Sequence, residues 1–258
     1  MNLKRLFPSE DGRLGKLVRG VGQLGTIVLM VLVIKTVAAE AYYVPSGSML
    51  PSLLIGDQLL VSKYPYGYSR YSLPVPVAPE SAERLLGKLP DYGDVVVFRL
   101  PRDPSQTYVK RVVGLPGDRL QMRDGRLSVN SKMLPLRRDG IGKIEDEDGA
   151  RMSAPRYVET LPNGREHPIF KFRQNGDLDN TREFTVGTGE IFVMGDNRDD
   201  SADSRMPPTA GGVGLVPVEN LVGRVEAILG SWDMAVRRDP VWTWPSGLRL
   251  SRFFSRVH

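Results

Sequence analysis

The polarity pattern divides the chain into an apolar stretch near its start and a long region of short, strand-like runs. Val21 to Ala39 contains an unbroken apolar run from Ile27 to Ile34, with Gln23, Thr26, Lys35 and Thr36 as its polar positions. That length is close to the ~20 residues a helix needs to cross a bilayer, which predicts a transmembrane anchor over residues 21–41. Lys35 sits near the end of the run, where its stem can reach toward headgroups. Two other readings fit the same letters: a buried core helix, or a cleavable secretory signal ending in the small residues around Ala39 and Ala41. The uncleaved anchor is preferred because the apolar stretch with its flanks is long.

Beyond Tyr42 the pattern turns to β. The runs Asp57–Ser62, Asp94–Arg99, Thr107–Val113, Glu183–Val186, Glu190–Met194 and Leu221–Leu229 are short, rich in β-branched residues and separated by Gly and Pro signals. With no long amphipathic helix among them, they predict a mainly β domain. Residues 65–90, with Pro65, Pro74, Pro76 and Pro79, read as a loop. Residues 122–188 are more polar, with a charged tract from Arg137 to Arg151 and turn pairs at Asp124-Gly125, Asp139-Gly140 and Asn163-Gly164. They read as an inserted, cap-like subdomain. The organisation expected is a basic N-terminus (1–20), the anchor (21–41), a first core segment (42–121), the insertion (122–188), a second core segment (189–231) and a C-terminal tail (232–258).

Composition narrows the function classes. The 258 residues are 41% apolar and 25% charged, an ordinary globular balance, and cysteine is absent, which removes thiol nucleophiles, disulfides and cysteine-ligated metal sites. Of the net charge of +5, residues 1–20 carry +3 and residues 237–258 carry +4, leaving −2 between them. A nucleic-acid binder carries its charge as a patch on the folded domain. Charge at the two ends suits membrane phospholipid instead, and no nucleic-acid partner is expected. The positive-inside rule keeps residues 1–20 cytoplasmic and sends the rest across the membrane, which in a bacterium is the periplasmic or extracytoplasmic side. The tail gathers Trp232, Trp242 and Trp244, Phe253 and Phe254 with five arginines. It suits either an interfacial segment or a tail folded against the domain.

Histidine is scarce: His167 lies in the insertion beside Pro168, and His258 ends the chain. Neither stands beside a nucleophile-like turn, and two such histidines without cysteine form no metal-ligand cluster, so no metal and no cofactor is expected. A serine hydrolase without histidine needs another base. Lysine serves if burial makes it neutral, and Lys110 lies inside the β-branched run Tyr108-Val109-Lys110-Arg111-Val112-Val113. On a strand Lys110 and Arg111 point to opposite faces, although both could equally lie on a half-exposed strand. The serine candidate is Ser48, in Val44-Pro45-Ser46-Gly47-Ser48-Met49-Leu50-Pro51, a turn bracketed by prolines. Taken alone, Ser-Gly-Ser is also a linker-like tripeptide.

Four blocks in this order resemble the bacterial type I signal peptidases (leader peptidases), Ser-Lys membrane proteases. They are Pro45 to Asp57 around Ser48, Gly93 to Phe98, Tyr108 to Asp118, and Gly195 to Arg205. The resemblance implies a signal-peptidase-type catalytic domain that cuts preprotein signal peptides after small residues of Ala-x-Ala type. Ser48 would be the nucleophile and Lys110 the general base, acting through an acyl-enzyme. The Ser46 hydroxyl and the Ser48 N-H would form the oxyanion hole, and Ser201 would orient the lysine. Asp196, Asp203, Arg205 and Arg111 would form structural ion pairs, and Val44, Met49, Leu53, Tyr108 and Val109 would line the substrate pockets. Departures are Ser52, where the family often has threonine, and Asp200, where asparagine is common and which is expected to face solvent. A specialised peptidase relative and a catalytically silent, membrane-tethered β scaffold remain the alternatives.

Overall fold

The computed structural model describes residues 12–37, 39–72, 84–145 and 151–257. Lys4, Arg5, Pro74, Pro76, Pro79 and His258 from the sequence reading lie outside the described residues.

The chain begins with helix α1 (Arg13–Val37), longer at its start than the expected span and followed at once by strand β1 (Ala39–Tyr43). Ala39 to Ala41, expected at the end of the anchor, are therefore strand. Val21, Leu24, Ile27, Val28, Leu29, Met30 and Val31 of α1 are all exposed, which does not fit the core-helix reading. Among the described residues no helix is long and apolar enough to cross a membrane.

The chain then runs through β2 (Asp57–Ser62), β3 (Val95–Leu100) and β4 (Asp103–Gly114). It leaves them for β5 (Arg119–Arg123), β6 (Arg126–Val129), β7 (Lys132–Met133), β8 (Leu136–Glu145), β9 (Arg151–Thr160), β10 (Glu166–Phe170) and β11 (Phe184–Thr185). It returns as β12 (Glu190–Met194), β13 (Val216–Pro217), β14 (Leu221–Ser231) and β15 (Ser255–Arg256). The main sheet has the order β1-β2-β14-β3-β4-β12-β13, with β15 also paired to β14. The excursion forms two smaller sheets, β11-β5-β6-β7 and β10-β9-β8. The molecule is thus mainly β.

The runs read as strands owe their continuous apolar character to burial on both faces. Along β3, Val95 and Val97 pack with Val44, Met49, Leu53, Leu59 and Val61, while Val96, Phe98 and Leu100 pack the opposite way with Val112, Ile191 and Val193. A third cluster, with Leu120, Met122, Leu127 and Phe192, joins the main sheet to the first small sheet. The Asp124-Gly125 pair makes the β5–β6 hairpin with both residues left-handed (φ 49° and 74°), the geometry that pair favours. Asp139-Gly140 does not reverse the chain. Gly140 (φ 93°) lies at a bulge in β8 between Arg138 and Ile141.

The tail holds short 3₁₀ turns, not an amphipathic α-helix, and folds back on the domain. Arg249 donates to the Ile55 carbonyl (2.8 Å) and Arg252 to Asp57 Oδ2 (2.6 Å). Its outer side leaves Val241, Trp242, Leu250 and Phe254 exposed.

Candidate active site

The serine turn is fixed at both ends. Gly56 N donates to the Val44 carbonyl and Val44 N to the Asp57 carbonyl (3.0 Å each), closing a loop in which Gly47–Met49 form one 3₁₀ turn. Ser46 stands at the N-cap of that turn without capping it, and its hydroxyl lies 3.5 Å from Ser48 Oγ. From across the sheet, Asn197 N donates to the Ser48 carbonyl and Asn197 Nδ2 to the Gly47 carbonyl (3.1 Å each). The serine turn is thus held by one backbone and one side-chain donor of a buried asparagine to which the sequence reading gave no role.

Lys110 enters from β4. Its side chain is 3% exposed, its Nζ lies 2.8 Å from Ser48 Oγ, and it donates to the Val109 carbonyl at 3.0 Å. Burial disfavours the ammonium and lowers its pKa from 10.5 to about 8, against the pull of Asp203 and Asp196 in the other direction. The amine is therefore readily neutral at a hydroxyl it can deprotonate.

Arg111, the next residue on β4, points the other way. It makes a fork to Asp196 (Nε to Oδ1 2.8 Å, Nη2 to Oδ2 2.7 Å) and donates from Nη1 to the Gly93 carbonyl (2.7 Å). Ser52 donates to Asp196 Oδ2 at 2.5 Å, so a hydroxyl is used at this position. Arg205 makes the equivalent fork to Asp203 (2.9 and 2.8 Å), and Gly195 N also donates to Asp203. Burial opposes the charge on Asp196 and on Asp203. The neighbouring guanidinium more than offsets it in each case, so both carboxyls are held below the usual range.

Ser201 Oγ is buried and has no hydrogen-bond partner among the described residues; the Ser201 contact to Lys110 expected by resemblance is not made. Gly195 allows the close packing around it, since a Cβ there would lie 2.2 Å from Ser201 Oγ and 2.5 Å from the Ser48 carbonyl oxygen. Asp200 is exposed.

Ser48 and Lys110 open into a cleft of ≈ 410 Å³, walled by Tyr42, Val44, Met49, Thr107, Tyr108 and Val109. Leu53, expected in a pocket, is absent from its lining. It is fully buried behind Val44 and Met49, where it supports the wall.

Two insertion residues reach this region without having been singled out as site residues. Glu159 on β9 forms a fork with Arg198, with Nη1 to Oε1 at 2.9 Å. His167 on β10 sits between Glu159 and Asp196. The only hint in the sequence was the rarity of histidine.

The chain matches the family described as signal peptidase, peptidase S26, over residues 17–232. It belongs to that family. It is 37% identical over 251 residues to the signal peptidase I of Rickettsia typhi, covering 90% of each chain, and 35% identical over 256 residues to that of Rickettsia conorii, covering 92% of each. A solved signal peptidase I of Enterococcus faecalis V583 is 25% identical and covers 54% of this chain and 97% of its own, with a TM-score of 0.31. Family membership makes the chain a peptidase, and the serine–lysine contact lies within the matched residues.

Proposed function

We propose that the protein is a membrane-anchored serine endopeptidase that removes signal peptides from exported preproteins, with Ser48 as nucleophile and Lys110 as general base. The observation that carries the reading is the buried Lys110 amine 2.8 Å from Ser48 Oγ. Neutral Lys110 takes the Ser48 proton as Oγ attacks the scissile carbonyl. The resulting ammonium then protonates the leaving amine, and the free amine next activates the water that hydrolyses the acyl-enzyme. Ser46 Oγ and the Ser48 N-H stabilise the oxyanion. The buried, unpartnered Ser201 hydroxyl is available to orient the amine once substrate closes the cleft.

Substrate binding follows from strand geometry. β12 pairs with β4 only at residues 111 to 114, so Thr107 to Lys110 present a strand edge to the cleft. An extended preprotein segment adds to that edge, and alternate side chains enter the apolar wall. A cleft walled by Val44, Met49, Tyr108 and Val109 favours small apolar residues, the character of Ala-x-Ala sites. Helix α1 anchors the enzyme, supported by the apolar run Ile27 to Ile34 and by the exposure of the described apolar side chains around it.

The test is cleavage of a preprotein bearing an Ala-x-Ala site, in detergent with phospholipid, by wild type, Ser48→Ala and Lys110→Ala, with circular dichroism to verify folding. Wild type should cut after the site and both folded variants should be inactive. Near-normal activity in Lys110→Ala would remove the lysine from the mechanism, and an inert wild type on several preproteins would favour a specialised peptidase.

A further inference from the structure

Beyond Val109 the wall of the cleft runs on to Thr107, and bonded to Thr107 stands a half-buried arginine. Arg99 lies on β3 opposite Thr107 on β4, as Val97 lies opposite Val109. Cross-strand partners share a face, so Arg99 and Thr107 continue the face of Val109 two residues further along the edge. Arg99 Nη1 donates to Thr107 Oγ1 (2.8 Å) and, more weakly, to the Ser105 carbonyl (3.4 Å). Its Nε is buried without a hydrogen-bond partner, and among the described residues no carboxylate pairs with its guanidinium. Glu40, the carboxylate on this side of the cleft, is already engaged: it pairs with Lys63 (3.0 Å) and accepts from the Tyr42 hydroxyl (3.1 Å). Burial and Glu40 push the Tyr42 phenol above its ordinary value while Arg99 acts in the opposite direction, so the arginine's charge reaches the cleft wall. This end of the cleft keeps one positive charge in excess.

We propose that Arg99 is a specificity-determining residue that reads the fifth side chain before the scissile bond of the preprotein, favouring a carboxylate or another hydrogen-bond acceptor there and disfavouring a cation. The inference rests on the signal peptidase reading and describes a finer part of its substrate.

Lys110 and Ser48 mark the scissile bond, and the apolar wall extends from them toward Thr107, so the acyl side of the substrate runs that way. A segment added to the β4 edge turns alternate side chains to one face, and every second residue lies about 7 Å further along. The first and third residues before the cut, the small ones, meet Val44, Met49 and Val109. The fifth continues on the same face, where the apolar wall gives way to Thr107 and the Arg99 guanidinium. A guanidinium carries five N-H donors, and the Arg99 bonds to Thr107 and Ser105 use only Nη1, which leaves donors for a ligand. A glutamate at that substrate position gains a charge-assisted bond, whereas a lysine meets like charge. Because Arg99 is half exposed, the discrimination is modest and weakens with salt.

The test uses three preproteins identical but for Glu, Gln or Lys at the fifth residue before the cut, with Ala at the first and third. Full-length enzyme in non-ionic detergent with a zwitterionic phospholipid cleaves each at low salt, and kcat/KM is compared for wild type, Arg99→Gln and Arg99→Glu, with circular dichroism to verify folding. Wild type should favour Glu over Lys by about fivefold, Arg99→Gln and high salt should each bring that ratio toward one, and Arg99→Glu should reverse it. Equal rates in wild type, a ratio that Arg99→Gln keeps, or an equal loss on all three substrates would overturn the inference, the last because a purely structural arginine does not sense the substrate's charge. An enzyme that cuts none of the three overturns the signal peptidase reading and this inference with it, whereas cutting that ignores the fifth residue overturns this inference alone.

Discussion

Lys110, the proposed base, lies in a place that makes it a poor structural residue. The unfolded chain holds the lysine proton up to about 10.5 and the folded chain only to about 8, so the unfolded state binds more protons between those values. Stability therefore rises with pH from about 8 to 10.5, and near neutrality the buried amine costs roughly 3 kcal/mol. Replacing it by an apolar side chain of similar length removes that cost but forfeits a hydrogen bond to the Val109 carbonyl, worth about 1 kcal/mol. Lys110→Met should therefore be inactive yet more stable near neutrality by about 1 to 3 kcal/mol, measured as a higher urea midpoint, with a flatter rise above pH 8. A Met variant less stable than wild type would contradict the burial argument. If Lys110 is the base, as proposed, wild-type kcat/KM should climb with pH through a midpoint near 8.

Strand β1 decides the fate of the small residues after α1. Ala39 and Ala41 look like a cleavage site in the sequence, which makes the chain a potential substrate for a neighbouring copy. In the fold, Ala39 to Tyr43 are paired antiparallel with Ser62 to Gln58, and Glu40 is tied to the buried Lys63 at 3.0 Å. An extended segment already paired in its own sheet cannot add to another strand edge without unzipping. Intact mass after extraction and prolonged incubation should show only full-length chain, and Lys63→Met, which removes the ion pair and leaves Glu40 only its hydrogen bond from Tyr42, should be the first variant to yield a chain shortened near Ala41. Early cleavage of wild type would show that β1 opens readily. The same pairing marks where the sequence is legible. Runs such as Asp57–Ser62 and Glu190–Met194 coincide with β2 and β12 because most of their positions are buried, leaving compact apolar stretches between turn signals. Strands β7 and β8 are exposed or only partly covered along their described length, and β8 and β9 are rich in charges, so the polar tract hid them. Ser48 and Lys110 stood out through the four-block resemblance, since taken alone the proline-bracketed turn also reads as a linker and the lysine strand as half-exposed. Asn197, Glu159 and His167 did not, since their positions come from pairings between segments remote in sequence and no local spacing encodes them.

At the scale of the molecule, the insertion and the catalytic segments share one buried charge system, from Arg198 and Glu159 through His167 to Asp196 and Arg111. Glu159, Asp196 and Asp203 all titrate below their ordinary values of 4.5 and 3.8. A depressed carboxyl stabilises the fold above its unfolded value and loses that contribution as pH falls through the folded one. Acid unfolding should therefore begin below about pH 4.5, with tryptophan fluorescence and circular dichroism falling together. Glu159→Gln, which leaves Arg198 buried without its carboxylate, should cost about 3 to 5 kcal/mol and lower both transitions alike. The distribution of charge and apolar surface sets the remaining expectation, orientation in the membrane. Basic residues precede the apolar run of α1, the last of them Arg13, Lys16 and Arg19 in its first turns, while the arginines and exposed rings of the tail, Trp242 and Phe254 among them, belong to the domain that follows it. The positive-inside rule holds the first group in the cytoplasm, and the rings suit contact with the outer surface of the same bilayer. Because the chain has no cysteine, single substitutions report topology without background. In intact spheroplasts a membrane-impermeant maleimide should label Gln174→Cys, an exposed position of the insertion, and should label Ser9→Cys only after lysis. Labelling of Ser9→Cys before lysis would reverse the orientation, and equal labelling of both would mean that α1 does not cross.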